Sequence, residues 1–269
     1  RNNPAKQKKV KTKKQKAIAA TCAVAFWLLV WHVVSLCVGS ELVLVSPVKV
    51  VQTLFTVIFD PDFLKTVWYS AARILGGFFT ALTLGTVLGW VASRFWIVET
   101  LLRPITAVIK ATPVASFIIL VLLWFSGKNL SVIISMLMVF PVIYMNVLEG
   151  VRSADEKLLE MAQVFRLSVG KKLLYIYLPA VAPFFVSACS VSLGLCWKSG
   201  IAAEVIGTPD GSIGAVFYQA KIFLQTSELL AWTVVVVAVS VAFEKLFMFL
   251  LRLVLKKLKM EDVLNGKRA

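Results

Sequence analysis

The sequence predicts an all-α membrane protein with about six spanning helices, on three observations. First, 59% of its 269 residues are hydrophobic, 16% are charged and the mean hydropathy is +0.85. A soluble domain is about half apolar and about a quarter charged. Second, the apolar residues fall in long runs, and at roughly 20 residues per span about five to seven crossings fit into one membrane domain. Third, the charges gather at the two ends and in one internal stretch, 155–172.

The net charge of +15 follows that distribution. Arg1 to Lys16 holds eight Lys or Arg and no acid, and Arg252 to Ala269 holds six more. Both flank apolar runs, as the positive-inside rule expects of cytoplasmic tails, and such tails attract anionic membrane lipid. Nucleic-acid binding calls for interleaved aromatics or a recognisable module, and neither tail has one, so no nucleic-acid partner is expected. Residues 1–16 and 256–269 are therefore read as basic cytoplasmic tails around a membrane domain at 17–255.

Along the chain, Ala17 to Val38 forms the first span. Pro47, followed by Val48, Val51, Leu54 and Phe55, predicts a short amphipathic helix at the outer surface. Asp60-Pro61-Asp62 is a turn. Leu64 to Trp90 is the second span. Its Gly77, Ala81, Gly85 and Gly89 recur every four residues, leaving one face almost bare so that another helix can approach closely. Arg73 on this span needs a partner, water or a route to the interface.

Ser93, Arg94, Trp96 and Arg103 mark a cytoplasmic connection, and Pro104 to Phe125 is the third span, kinked at Pro113. Ser126 to Asn129 turns the chain outside. Leu130 to Val151 is the fourth span, with Pro141 inside it. Leu173 to Trp197 is the fifth, interrupted by Pro183, and the segment from Trp197 to Glu204 leaves the apolar pattern. Gly207 to Gly214 is an external loop, Val216 to Phe223 a short helix and Leu229 to Leu251 the sixth span. Six spans put both ends and the 152–172 loop on one side.

That loop is the unusual stretch. Glu156, Lys157, Glu160, Arg166, Lys171 and Lys172 cannot sit cheaply in lipid. Leu158, Met161 or Ala162, and Phe165 recur at helical spacing, so a helix over 155–167 has one greasy and one charged face. Ser168-Val169-Gly170 is expected to end it, and Pro179 marks where the next element starts or bends. A short amphipathic helix held in water offers a knob to a partner.

The stretch EMAQVFRLSVGKKLLYIYLP resembles the cytoplasmic loop of bacterial ABC importer permeases, whose pattern is E-A-A, three residues, Gly, nine residues, I-x-L-P. Glu160, Ala162, Ile176, Leu178 and Pro179 fall on that spacing. Met161 replaces the first Ala and Arg166 stands where Gly is usual, so Ser168 to Gly170 is expected to supply the tight turn. Three further segments resemble the permeases of the sulfonate, taurine and nitrate importer group: SAARILGGFFTALTLGTVLGW, the run from Thr112 to Val151, and WKSGIAAEVIG. That group also serves pyrimidine precursors of thiamine and riboflavin.

The resemblance implies a type I importer permease of the bacterial cell membrane with both termini cytoplasmic. It implies a second, identical copy, two cytoplasmic ATPase subunits on the loops, and an extracytoplasmic binding protein that delivers solute. Leu158, Glu160, Ala162, Phe165, Arg166, Gly170 and Pro179 are the residues expected to couple to the ATPase. The chain has no GxxxxGK[ST] loop, so ATP hydrolysis is expected on the partner, with no catalytic residue, cofactor or metal here.

For the translocation path the candidates are Lys110, Pro113, Trp197, Lys198 and Glu204, polar or helix-breaking residues near membrane depth. Lys110 and Lys198 favour an anionic solute, or else snorkel to the interface. Trp197 and Phe117 offer stacking to a heterocycle, or else pack between helices. Cys22, Cys37, Cys189 and Cys196 sit in apolar runs without metal spacing, and His32, the only histidine, reads as a packing or interfacial residue. A membrane enzyme would need clustered acids or histidines at depth, and a stand-alone secondary transporter often shows paired repeats. Neither feature is present, and a channel would have no use for a docking helix.

Overall fold

A computed structural model describes residues 13–258. The outer parts of both basic tails, 1–12 and 259–269, lie outside the described residues. The described residues form helices and turns, without strands. Five helices are long and apolar enough to cross a membrane: α1 (Lys13–Val38), α3 (Phe63–Arg94), α6 (Gly127–Arg152), the helix Val169–Gly207, and α11 (Thr226–Lys257). A sixth crossing is the pair α4 (Trp96–Ala111) and α5 (Val114–Leu122), which meet at 106°. The architecture is that of a type I importer permease.

The third span is where the structure departs most from the expectation. Phe95 alone separates α3 from α4, so Trp96 to Arg103 is helical rather than a connection, and Pro104 lies inside α4. Pro113 does not kink one span. It starts a new helix nearly at right angles, because it has no N–H to continue α4 and forces Thr112 into extended backbone. Pro141 and Pro183, by contrast, lie within helices that run on past them. The fifth span does not end at Trp197. Helix α9 (Leu178–Gly207) carries the Trp197–Glu204 segment as helix to a left-handed stop at Thr208.

The core is three helices thick. Ile74, Phe78 and Ala81 of α3, Val139, Ile143 and Val147 of α6, and Cys189, Leu193 and Cys196 of α9 interlock. The bare stripe makes this possible. A Cβ on Gly89 would lie 2.9 Å from the Tyr144 carbonyl oxygen, and one on Gly85 would lie 3.0 Å from Ile143 Cβ. The contacts climb in step from Gly77–Ser135 to Gly89–Val147, so α3 and α6 run parallel. Helix α9 runs against them, pairing Gly150 with Val181 at one end and Gly127 with Gly207 at the other.

The short helices gather at the two ends of this bundle. Helix α2 (Pro47–Ile58) is N-capped by Ser46, with Pro47 in its first turn. It packs with α10 (Ile213–Ile222) and the start of α11 through Val57, Ile213 and Trp232. Arg73 finds its partner at the same end: its Nε donates to the Lys128 carbonyl at 2.7 Å, and its guanidinium lies 3.8 Å over the Tyr69 ring. The opposite end holds α7 (Glu156–Val164), α8 (Val169–Lys172) and the last turns of α11, where Leu255 packs on Ala182.

Candidate functional site: a short exposed helix and a charged cavity

Helix α7 begins at Asp155, whose side chain accepts from the Lys157 N–H at 2.9 Å, and Glu156 stands in its first turn. It ends at Arg166. The Leu167 N–H donates to the Ala162 carbonyl at 2.9 Å and the Arg166 N–H to Gln163 at 3.0 Å, with Arg166 left-handed at φ 51°. This is a Schellman stop, which usually places glycine at that left-handed position. The turn expected at Ser168 to Gly170 is therefore made by Arg166 itself, at the position where the loop pattern has Gly. Ser168 instead N-caps α8, and Gly170 sits inside that helix with open space around it.

The exposed face of α7 carries Leu158, Met161, Val164 and Phe165, the last 72% exposed, beside exposed Glu160. Ala162, one turn from Leu158, is 0% exposed, so it belongs to the chain's own packing and not to the exposed surface. After α8, a π-helical turn spans Leu173–Tyr177 and runs directly into α9, with Pro179 in its first turn. A proline ring collides with the carbonyl four residues back in an α-helix, and a wider turn relieves that. Pro179 thus marks the start of α9, as expected, without breaking the longer helix from Val169. It joins α8 to the long span through one wide turn.

The second feature is a cavity of about 410 Å³ between α4 and α6, lined by Glu99, Arg103, Thr106, Ala107, Lys110, Tyr144 and Glu149 with Met145 and Leu148. Glu99, Arg103, Thr106 and Lys110 recur at helical spacing along one face of α4. At the end nearest α7, Glu99 and Arg152 form an ion pair, with the carboxylate in the first turn of α4 and the guanidinium in the last turn of α6. Each sits where its helix dipole favours that charge.

The five path candidates divide. Lys110 lines the cavity, and Pro113 makes the break just beyond it. Lys198 is exposed on α9 but does not line this cavity. Trp197 is 2% exposed inside the three-helix core, which removes it as a stacking platform. Glu204 is 0% exposed. Its Oε2 accepts from Ser70 Oγ at 2.6 Å, Ser70 Oγ accepts from the Ile213 N–H at 2.9 Å, and Gly214 packs directly on the glutamate. In this conformation Glu204 is a staple between α9, α3 and α10. Sequence alone does not single out Arg103, Thr106 or Tyr144 for the cavity, because Arg103 reads as part of a connection and Thr106 and Tyr144 as ordinary span residues. The helical spacing from Glu99 to Lys110 is the signal that finds Arg103 and Thr106, whereas Tyr144 comes from α6 and has no such signal.

A charged groove along the side of a helical membrane bundle, with a polar helix projecting from one end, is a transporter's anatomy. The family of binding-protein-dependent transport system inner membrane components matches residues 81–260. The chain belongs to that family. This permease is 29% identical over 216 residues to a protein of Bacillus subtilis (strain 168) named for aliphatic sulfonates transport, covering 79% of this chain and 78% of the relative. It is 28% identical over 220 residues, 80% of each chain, to the taurine transport system permease protein of Escherichia coli (strain K12). It is 25% identical over 214 residues, 76% of each, to the nitrate import permease protein of a Synechocystis strain. The permease is thus a multi-pass membrane protein of the bacterial ABC importers, in the sulfonate, taurine and nitrate group.

Cys189 and Cys196 are buried in the core, whereas Cys22 and Cys37 are exposed on α1. His32 is half-buried on the same helix. Among the described residues no group of His, Cys, Asp or Glu is arranged to hold a metal ion.

Proposed function

We propose that two copies of this permease form the path by which a small oxyanion of the sulfonate or nitrate kind enters the cell, driven by ATPase subunits that dock on α7. The observation that carries this reading is the exposed face of α7. Four apolar side chains, Leu158, Met161, Val164 and Phe165, stand beside Glu160 on a helix too charged for lipid. A greasy face that lipid cannot cover is covered by a protein.

The α7 end is the cytoplasmic one in this reading. Arg94, Arg152, Arg166, Lys171, Lys172, Lys256 and Lys257 gather there, whereas Asp60, Asp62, Asp210 and Glu228 lie around α2 and α10. That outer end is where a binding protein delivers solute. Closure of the ATPase pair moves the two α7 helices. The continuous helix from Val169 to Gly207 carries the motion to the outer end, and α6 carries it along the cavity. Nucleotide closure must therefore favour one permease state over another.

The solute class is supported by the relatives, named for sulfonates, taurine, nitrate and also bicarbonate, all small and each bearing an oxyanion group. Arg103 and Lys110 in the cavity fit that charge. A heterocyclic vitamin precursor is less well served, because Trp197 is buried. The test is recovery of the ATPase with tagged permease from native membrane in mild detergent. Glu160→Lys and Phe165→Ala are expected to lose the ATPase and solute uptake together while leaving permease levels intact. Full uptake in both variants would overturn docking through α7.

A further inference from the structure

We propose that the α4–α6 cavity is itself an oxyanion-binding station, built by Arg103, Lys110 and Tyr144, through which the solute passes on its way to the α7 end. This deepens the transport reading and rests on it for the direction of passage, but the site is argued from its own residues.

The charges of the cavity are segregated along α4. Glu99 is held by Arg152 at the α7 end, and Glu149 is three residues before that arginine on α6. Lys110 lies eleven residues beyond Glu99, about 16 Å along the helix at 1.5 Å per residue. Among the described residues neither Arg103 nor Lys110 has a carboxylate within 4.0 Å, while both are exposed toward the cavity or its rim. Two unpaired cations part-way through a membrane are expensive unless water or a counter-anion meets them.

A third group points the same way. Tyr144 is 1% exposed, it lines the cavity, and its hydroxyl is buried without a hydrogen-bond partner. A buried hydroxyl left unpaired is costly, and an oxyanion would accept from it once the side chains covering it part. The Thr106 hydroxyl contributes nothing here, since it is spent on the carbonyls of Leu102 and Arg103 at 3.0 Å each. The break at Pro113 starts α5 at Val114, four residues after Lys110, and brings a helix N-terminus to the same level.

The volume of about 410 Å³ admits a small organic anion or a hydrated inorganic one. Glu149 at the inner end opposes tight retention. A conducting site must bind well enough to admit an ion and weakly enough to release it.

The experiment places a reporter thiol in the cavity. In the full permease–ATPase complex, the exposed Cys22 and Cys37 are changed to serine and Ala107, which lines the cavity, to cysteine. Labelling rates are then measured with two methanethiosulfonate reagents, one bearing a sulfonate and one a trimethylammonium group. The ratio of sulfonate to trimethylammonium rates is expected to fall about tenfold when Arg103→Gln and Lys110→Gln are added, the lower end of the field-focusing effect. The pair Arg103→Lys and Lys110→Arg should keep the ratio, which guards against misfolding of the neutral variant. Millimolar methanesulfonate should slow labelling, and choline should not. A ratio indifferent to both cations, or equal protection by choline, would overturn the station. Uptake in proteoliposomes is scored separately. Sulfonate uptake with an indifferent ratio sinks the station alone, and the expected ratio without any uptake sinks the transport reading alone.

Discussion

Ser70 Oγ donates a 2.6 Å hydrogen bond to Glu204 Oε2, joining two helices whose residues lie 134 positions apart. Neither group is exposed, and the same Ser70 oxygen accepts from the Ile213 N–H at the start of α10. One buried carboxylate thus fixes three elements at the end of the bundle remote from α7. Glu204→Ala leaves Ser70 without its acceptor and is expected to cost about 1–3 kcal/mol, the range for a buried polar group left unsatisfied. Glu204→Gln keeps a carbonyl oxygen for Ser70 and should cost less. Thermal unfolding in detergent ranks the two. Equal melting temperatures for both variants and the parent would show that the staple carries no energy.

The left-handed Arg166 makes a second prediction. An L side chain at that backbone costs about 1–2 kcal/mol, part of which glycine returns as greater freedom in the unfolded chain. Arg166→Gly should therefore tighten the end of α7 modestly and Arg166→Val should loosen it, because a β-branched residue tolerates positive φ worst. Amide exchange of Ala162 to Leu167 reads the order, with Gly most protected and Val least.

The two faces of α3 offer a matched pair. A side chain at Gly89 meets the α6 backbone at 2.9 Å, so Gly89→Val should separate the helices and cost about 1–3 kcal/mol or more. Gly76, one residue from Gly77 but on the open face, has nothing within 4 Å of a Cβ. Gly76→Ala should be neutral or should gain about 0.5–1 kcal/mol from helix propensity. Comparable losses at both positions would argue against the α3–α6 contact.

The Glu99–Arg152 pair is partly exposed, at 30% and 45% of the two side chains. Its coupling is expected to be about 0.5–1 kcal/mol, within the range of exposed pairs and screened by salt. A double-mutant cycle with Glu99→Gln and Arg152→Gln, run at low and high salt, measures it. A coupling that does not shrink with salt would place the pair in a drier site than the structure gives it.

Much of the fold was legible in advance because a membrane imposes a coarse and strict code. Length and apolarity located the second, fourth and sixth spans within a few residues, whereas the third begins eight residues earlier and the fifth ends ten residues later than expected. The every-fourth-residue stripe of Gly77, Ala81, Gly85 and Gly89 announced a close helix contact. The loop spacing from Glu160 to Pro179 announced α7. What hydropathy could not report was the backbone's response to single residues. Pro113 ends one helix and starts another at 106°, whereas Pro141 and Pro183 are absorbed. Arg166 makes a turn that its type disfavours, because two backbone hydrogen bonds close around it.

By itself, then, the sequence determined that this chain is a bundle of membrane helices with one charged amphipathic helix held in water, since lipid solvation sorts residues by type alone. Only the tertiary structure decided what the polar residues at depth do. Glu204 and Lys110 look alike in sequence, each a charge beside an apolar run. The close packing of α3, α9 and α10 buries Glu204 as a staple, while the break at Pro113 leaves Lys110 over an open cavity. That difference depends on which helices meet, and helix contacts are made by shape across distant segments rather than by any local pattern.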